Sequence, residues 1–292
     1  MDLAVAMGAE IVSADSMLVY RGMDIGTAKP LPEERARVPH HALDLANPDE
    51  PFNAARYRAA AIAALRDIRA RGRTPLVAGG TGLYVKALTH GLGAAPAAEP
   101  ALRAELESIL RTEGLEALQA RLRNRAPRLF AALVDPKNPR RLIRALELAQ
   151  AGITEPPADW RSESHRAVLT GLRMEAGALR RRIVERVERM YAAGLLDEVR
   201  SLLHRGRLMS ATARQAIGYR EALDCAEGRC SREDAMRKTA VRTWQLSRRQ
   251  MTWFQRQAEV NWIDVDPAAN SGTIAAYVQE SWRKHGPTPI RD

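Results

Sequence analysis

Two short apolar runs each break into a turn that a strand cannot continue through, and this limits the fold more than any other feature of the chain. Ala9 to Ala14 reads as a strand and is followed at once by Asp15-Ser16. Thr74 to Ala78 reads as a buried strand, then Gly79-Gly80-Thr81-Gly82 turns into a helix through Leu83, Val85 and Leu88. Between them Asn53 is placed to cap a long alanine-rich helix that ends before Gly72. Strand–helix–strand–helix alternation of this kind predicts an α/β fold with a parallel sheet flanked by helices.

From about Gly93 the strand signals stop. Pro96 and Pro100 mark a break, residues 101–150 read as successive helices, and Pro156-Pro157 close the segment. Ala167 to Leu172 is expected to return to the sheet, followed by a helix with Leu179, Ile183, Val187 and Met190 on its core side. A last strand is expected at Val260 to Val265, and the tail from Gly286 is expected to fray. The division predicted is a core of residues 1–93 and 160–270, a helical insertion of 94–159, and a C-terminal tail of 271–292.

With 46% apolar and 27% charged residues over 292 positions, the chain can bury a core, which excludes a disordered protein. No run of 18 apolar residues occurs, so no membrane-spanning helix is expected. Met1 to Met7 lack the basic start and apolar stretch of a signal peptide. Cys225 and Cys230 are the only cysteines and have no matching partners, which excludes a disulfide framework and a four-cysteine zinc site. The expectation is a soluble, cytoplasmic monomer.

The net charge of +10 is clustered. Residues 121–144 carry +7 with Asp135 as their single acid, residues 237–256 carry +6 with none, and the rest of the chain is net −3. Clustering of this kind suits a polyphosphate partner; solvated helix faces in an arginine-rich chain are the plainer alternative, since Lys makes up only 5 of the 45 basic residues. In the second cluster Ala240, Trp244, Ser247, Met251 and Phe254 form a core stripe, and Lys238, Arg242, Gln245, Arg249 and Arg256 fall on the opposite face. The absence of acids interleaved at helical spacing favours a ligand face.

Asp15 is the sharpest single residue, because ligands bind beyond the C-terminal ends of parallel strands and a carboxylate there can accept a proton; it can equally serve as a cap or turn residue. Gly79-Gly80-Thr81-Gly82 can hold an anion on backbone N–H groups or simply make a tight turn. Arg182, Arg186 and Arg189 form a helical stripe suited to diphosphate, or a solvated one beside Glu185 and Glu188. The six histidines show no ligand spacing, and adjacent His40-His41 read as loop residues. No G-x-x-x-x-G-K-[ST] phosphate loop occurs; Gly22 to Lys29 comes nearest and fails on spacing.

The segment from Ile11 through Ala14-Asp15-Ser16-Met17-Leu18-Val19-Tyr20-Arg21-Gly22-Met23-Asp24-Ile25-Gly26-Thr27-Ala28-Lys29-Pro30 closely resembles the signature of the bacterial tRNA dimethylallyltransferase, or tRNA isopentenyltransferase, family. Further matches follow in the family's order: Gly79 to Tyr84, Asn138 to Glu147, Gln215 to Arg220 and Thr243 to Gln250. The resemblance spans about residues 2–265. It implies a P-loop-type parallel core with a helical insertion that grips the anticodon arm. The activity implied is transfer of a dimethylallyl group from its diphosphate to N6 of the adenosine 3′-adjacent to the anticodon. Carried over by motif, Asp15 is the general base, and Arg182, Arg186 and Thr81 bind diphosphate. Expected at tRNA are Asp15, Ser16, Met17, Leu18, Thr81, Arg103, Arg140, Arg141, Leu142, Ile143, Arg144, Gln215, Ala216, Ile217, Gly218, Tyr219, Arg220, Arg242, Gln245, Arg248 and Arg249. Mg²⁺ is expected on the diphosphate.

One departure stands out. The family's Gly-Lys-Ser/Thr loop immediately precedes the helix that here starts at Asp2, and Met1 stands where its hydroxyl residue belongs. The expectation is a natural start further upstream. The alternatives are a shortened chain that binds tRNA without chemistry, and a small-molecule kinase of related fold.

Overall fold

The computed structural model describes residues 1–92, 99–155, 167–204, 209–286, 288 and 290. It divides into two compact units, residues 1–91 with 165–292 and residues 92–164.

The first unit opens with helix α1 (Asp2–Met7), stopped at Gly8 by a left-handed φ of 58°. Strand β1 (Ala9–Ser13) follows, buried along its whole length. Helix α2 (Pro32–Arg37) leads to the two-residue strand β2 (His40–His41), and helix α3 (Ala54–Ala70) to strand β3 (Thr74–Ala78) and helix α4 (Gly82–Thr89). The Asn53 side chain accepts the Arg56 N–H at 2.9 Å, capping α3 as its sequence suggested. Tyr57, Ala61, Ile62, Leu65 and Ile68 line the buried stripe of α3. Each large aliphatic side chain among them contributes roughly 1.5–3 kcal/mol relative to exposure.

β1 is central and pairs in parallel with both neighbours, Ile11 and Val12 against His40 and His41, and Ala9 to Ser13 against Thr74 to Ala78. His40-His41 are therefore an edge strand and not loop residues. Two polar residues carry no strand pattern; backbone pairing with β1 makes them one, the Ile11 N–H donating to Pro39 O at 2.9 Å, and Glu10 meets His41 Nε2 at 2.7 Å beside it.

The second unit is all helical among its described residues: α5 (Pro100–Thr112), α6 (Leu115–Arg125), α7 (Pro127–Ala131) and α8 (Pro139–Gln150). Leu106, Ile109, Leu118, Leu122, Leu142 and Leu146 build a core of its own. Prolines at the first turns of α5, α7 and α8 need no N–H there, and Asn138 caps α8 by accepting the Arg140 N–H at 3.1 Å.

The chain returns to the first unit through strand β4 (Val168–Met174), α9 (Ala176–Ala192), α10 (Leu195–His204), a 3₁₀ turn at Ala213–Gln215, α11 (Tyr219–Ala226), the long α12 (Arg232–Gln257) and strand β5 (Glu259–Val265). β4 and β5 pair in parallel from Val168–Glu259 to Met174–Val265 and form a two-stranded sheet of their own. The expected return of this segment to the β2-β1-β3 sheet is therefore not met: among the described strands β4 bonds to β5 alone. The last element is helix α13 (Ser271–His285), capped by Asn270 accepting the Thr273 N–H at 2.8 Å. That corrects the expectation of a tail from residue 271: buried Ala275 and Val278 give the segment an apolar stripe, which makes it a packed helix. Prolines 96, 156 and 157 lie outside the described residues.

Candidate active site

The site begins where β1 ends. Ala14 continues the ladder, its N–H donating to Ala78 O at 2.8 Å, and its own carbonyl accepts the Thr81 N–H at 3.0 Å. The two strand ends are thus stitched together, and Gly79 lies so close to the Ala14 carbonyl group that no Cβ fits between them. One link further, the Ser16 N–H donates to Thr81 Oγ1 at 3.0 Å, and Thr81 Oγ1 donates to Ser16 Oγ at 3.3 Å. Asp15 sits inside this corner, half-buried, with Oδ1 accepting the Met17 N–H at 2.8 Å. Its Oδ2 accepts no hydrogen bond among the described residues. The carboxylate is oriented through one oxygen and available through the other.

Helix α12 closes the corner from above the glycine turn. Gln250 Nε2 donates to Gly80 O at 3.1 Å, and the Trp253 indole lies where a side chain on Gly82 would stand, 2.5 Å from Cζ3 to an added Cβ. Tyr84, next along the turn, stacks on Tyr57 with ring centroids 3.8 Å apart. Burial, with the Asp15 charge adding to it, pushes the Tyr84 phenol well above its ordinary pKa, so it stays protonated.

The loop after β1 is held as firmly. Lys29 is buried, donating from Nζ to Tyr20 O at 2.6 Å and pairing with Asp24 at 2.6 Å and Asp44 at 2.7 Å. Glu198 on α10 accepts the N–H groups of Asp24 at 3.0 Å, Ile25 at 2.9 Å and Gly26 at 3.5 Å, and also the Tyr219 phenol. Gly26 packs under Leu195 and Tyr219, where an added Cβ would stand 2.9 Å from Leu195 Cδ1. Arg186 on α9 donates from Nη2 to Thr27 O at 3.4 Å. Although Arg186 as a whole is exposed, desolvation of its guanidinium lowers its pKa, and the nearby Asp15 charge works the other way. Asp15 and Arg186 are thus near enough to interact electrostatically. Arg182 lies exposed four residues earlier on α9, and Met17 and Leu18, which follow Asp15 in the chain, are half-buried.

Several residues expected at tRNA are placed differently. Leu142 and Ile143 are 0% and 5% exposed, so their side chains pack the helical unit's core. Ala216 and Tyr219 are buried, and Gly218 with them, whereas Gln215 and Arg220 are exposed and Ile217 half-buried. Arg242 does not stand on an open face. It pairs with the buried Glu221 carboxylate and donates to Gln215 O at 3.4 Å, because a carboxylate taken out of water needs a cation. Gln245, Arg248 and Arg249 are exposed as expected, and so are Arg140 and Arg141 in the first turn of α8.

The basic windows are also less bare than their sequence suggested. Arg121 pairs with Glu113 at 3.3 Å, Arg128 with Glu155 at 2.7 Å, Arg144 with Glu147 at 3.0 Å and Arg237 with Asp234 at 2.8 Å. These acids all lie outside the two windows, Asp234 just before one of them, and so do not figure in a local charge balance. Sequence reasoning also missed Glu198, Gln250 and Trp253. Their partners lie about 170 residues away and leave no local signal, although Gln250 does fall within one of the family motifs.

A parallel α/β core that presents a carboxylate and guanidinium groups beyond its strand ends belongs to the class of α/β proteins that handle phosphorylated ligands. The family described as IPP transferase matches residues 18–257, and the chain belongs to that family. It is 44% identical over 271 residues to the tRNA dimethylallyltransferase of Geobacter metallireducens, covering 90% of this chain and 87% of that one. Among solved structures, the tRNA isopentenylpyrophosphate transferase of Bacillus halodurans is 37% identical with a TM-score of 0.66, over 97% of this chain and 91% of that one. A eukaryotic dimethylallyltransferase acting on tRNA shares the fold at 22% identity, with a TM-score of 0.74 over 100% of this chain and 76% of that one.

Proposed function

We propose that the chain transfers a dimethylallyl group from dimethylallyl diphosphate to N6 of the adenosine 3′-adjacent to the anticodon of tRNA, releasing diphosphate. The observation that carries this reading is the Asp15 corner: one carboxylate oxygen held, the other unengaged, and Arg186 beside it. The relatives' shared name favours group transfer over a kinase or a binding-only protein.

An exocyclic amine is a poor nucleophile. As N6 bonds to the allylic carbon, the carbon–oxygen bond breaks with its electron pair leaving on the diphosphate, and the N6 proton passes to Asp15 Oδ2. Arg186 and Arg182 stabilise the charge gathering on the diphosphate, and Thr81 holds the Ser16 backbone so that the carboxylate keeps its aim. The adenosine must leave its stack to reach Asp15, which calls for an anticodon loop opened on a basic surface. Each unit offers exposed arginines for phosphate by itself, Arg140 and Arg141 on α8 and Arg248 and Arg249 on α12.

Among the described residues no group of three His, Cys, Asp or Glu side chains converges as a metal cage. Mg²⁺ binds phosphate oxygens readily, and the Ser16 and Thr81 hydroxyls beside the Asp15 carboxylate are the oxygen donors that would hold it here. When bound, it neutralises charge on the leaving group.

The test is Asp15→Ala in the full chain. Prenyl transfer to tRNA falls by about 10²–10⁴-fold, the range for a general base, while tRNA affinity stays near that of the parent. Retained turnover removes Asp15 from this role.

A further inference from the structure

Within the helical unit a single carboxylate organises two arginines. Glu147 on α8 has a side chain only 3% exposed, an expensive place for a charge. Its Oε1 accepts Arg103 Nε at 2.7 Å, and its Oε2 accepts Arg103 Nη2 at 3.1 Å and Arg144 Nη1 at 3.0 Å. Arg103 comes from α5 and Arg144 from α8 itself, one turn before Glu147. Leu142, Leu146 and Leu106 belong to the core of the same unit, so the carboxylate cannot relax into water. The guanidinium side chains, by contrast, are 45% and 35% exposed.

This is an unusual division of charge. The triad is net +1, with its negative member inside and its positive members at the surface. Two-point attachment through Nε and Nη2 fixes the plane of the Arg103 guanidinium and turns its Nη1 edge away from Glu147. A free arginine loses rotamer entropy when it is immobilised; here that ordering is completed on folding and no longer opposes binding.

We infer that Glu147 is a positioning residue that presets Arg103 and Arg144 as a paired clamp for the phosphodiester backbone of RNA. The inference rests on the reading that this unit meets tRNA. The clamp reads phosphate and carries no base information, so it sets where the RNA lies and not which sequence is chosen.

Net charge alone gives the opposite expectation to positioning. Removing an acid from a basic unit should tighten a polyanion, whereas loosening a preset clamp should weaken it. With the full chain, we expect Glu147→Gln to lower tRNA affinity about tenfold, the loss of one charge-assisted hydrogen bond, and to make the salt dependence shallower. Glu147→Asp keeps the charge but shortens the reach, and is expected to weaken binding as well; it serves as the readout if the glutamine variant does not fold. Unchanged or tighter binding by either folded variant overturns the inference. The double variant Arg103→Ala/Arg144→Ala separates the two levels. If it leaves tRNA binding intact, the unit is not the tRNA surface; if it weakens binding while Glu147→Gln does not, only the positioning role fails. Adding Glu147→Gln to that double variant should change affinity little, since the residues act as one unit.

Discussion

Glu10 shows how one side chain ties a sheet to its surroundings. It is buried on β1, and Arg71 holds both of its oxygens, Nη2 reaching Oε2 at 2.8 Å. His41 meets the same oxygen, and together these partners outweigh burial and hold the carboxyl down to about 2. The sign follows from linkage. Below about 4.5 the unfolded chain takes up a proton that folded Glu10 still refuses, so stability is full above that pH and falls as pH drops toward about 2. Urea midpoints measured across that window should therefore decline for the parent, and Glu10→Gln should start lower at neutral pH and decline less. Parallel profiles would remove Glu10 from the acid response. Glu198 is the counterpart beside the active site: Glu198→Gln should release the 24–26 backbone and raise KM for the prenyl diphosphate through Arg186, and unchanged kinetics would sink that link.

At the scale of elements, the glycine turn between β3 and α4 separates two kinds of close approach. Gly79 faces the backbone of Ala14, which no neighbouring substitution can move, whereas Gly82 faces the Trp253 ring. Both alanine variants should destabilise, by about 1–3 kcal/mol for overpacking, with Gly79→Ala the worse. A smaller residue at Trp253 should rescue Gly82→Ala and not Gly79→Ala; equal rescue, read from chemical denaturation, would contradict the packing described. The strands and this turn are legible in the sequence because apolar runs of strand length ending in Gly or Asp-Ser leave few alternatives. The α12 face is half legible. A helical stripe gives the spacing of the core side but not its partners, so Arg242 reads as part of the open face although Glu221, on a different helix, draws it inward. Strand β2 is not legible at all, since its two histidines acquire a strand conformation only by pairing with β1.

For the whole molecule, the charge excess is legible in position but not in strength, since acids from outside each window neutralise part of it. The exposed remainder should still govern RNA binding. Arg140→Ala combined with Arg249→Ala should weaken tRNA affinity and reduce the slope of log affinity against log salt by about 0.7–0.9 for each phosphate no longer neutralised. An unaltered slope in a filter-binding titration would mean that neither residue meets the backbone. The corner around Asp15 adds a consequence in time. Gln250 and Glu198 close it from 170 and 174 residues beyond their backbone partners. At about 5–20 residues added per second, the front half of the site waits roughly ten to thirty seconds for the helices that complete it. The helical unit precedes those helices in the chain and has its own core, so it is made before them. A growing chain can thus own a packed helical unit while the corner around Asp15 is still unfinished, and that corner is the last part that synthesis completes.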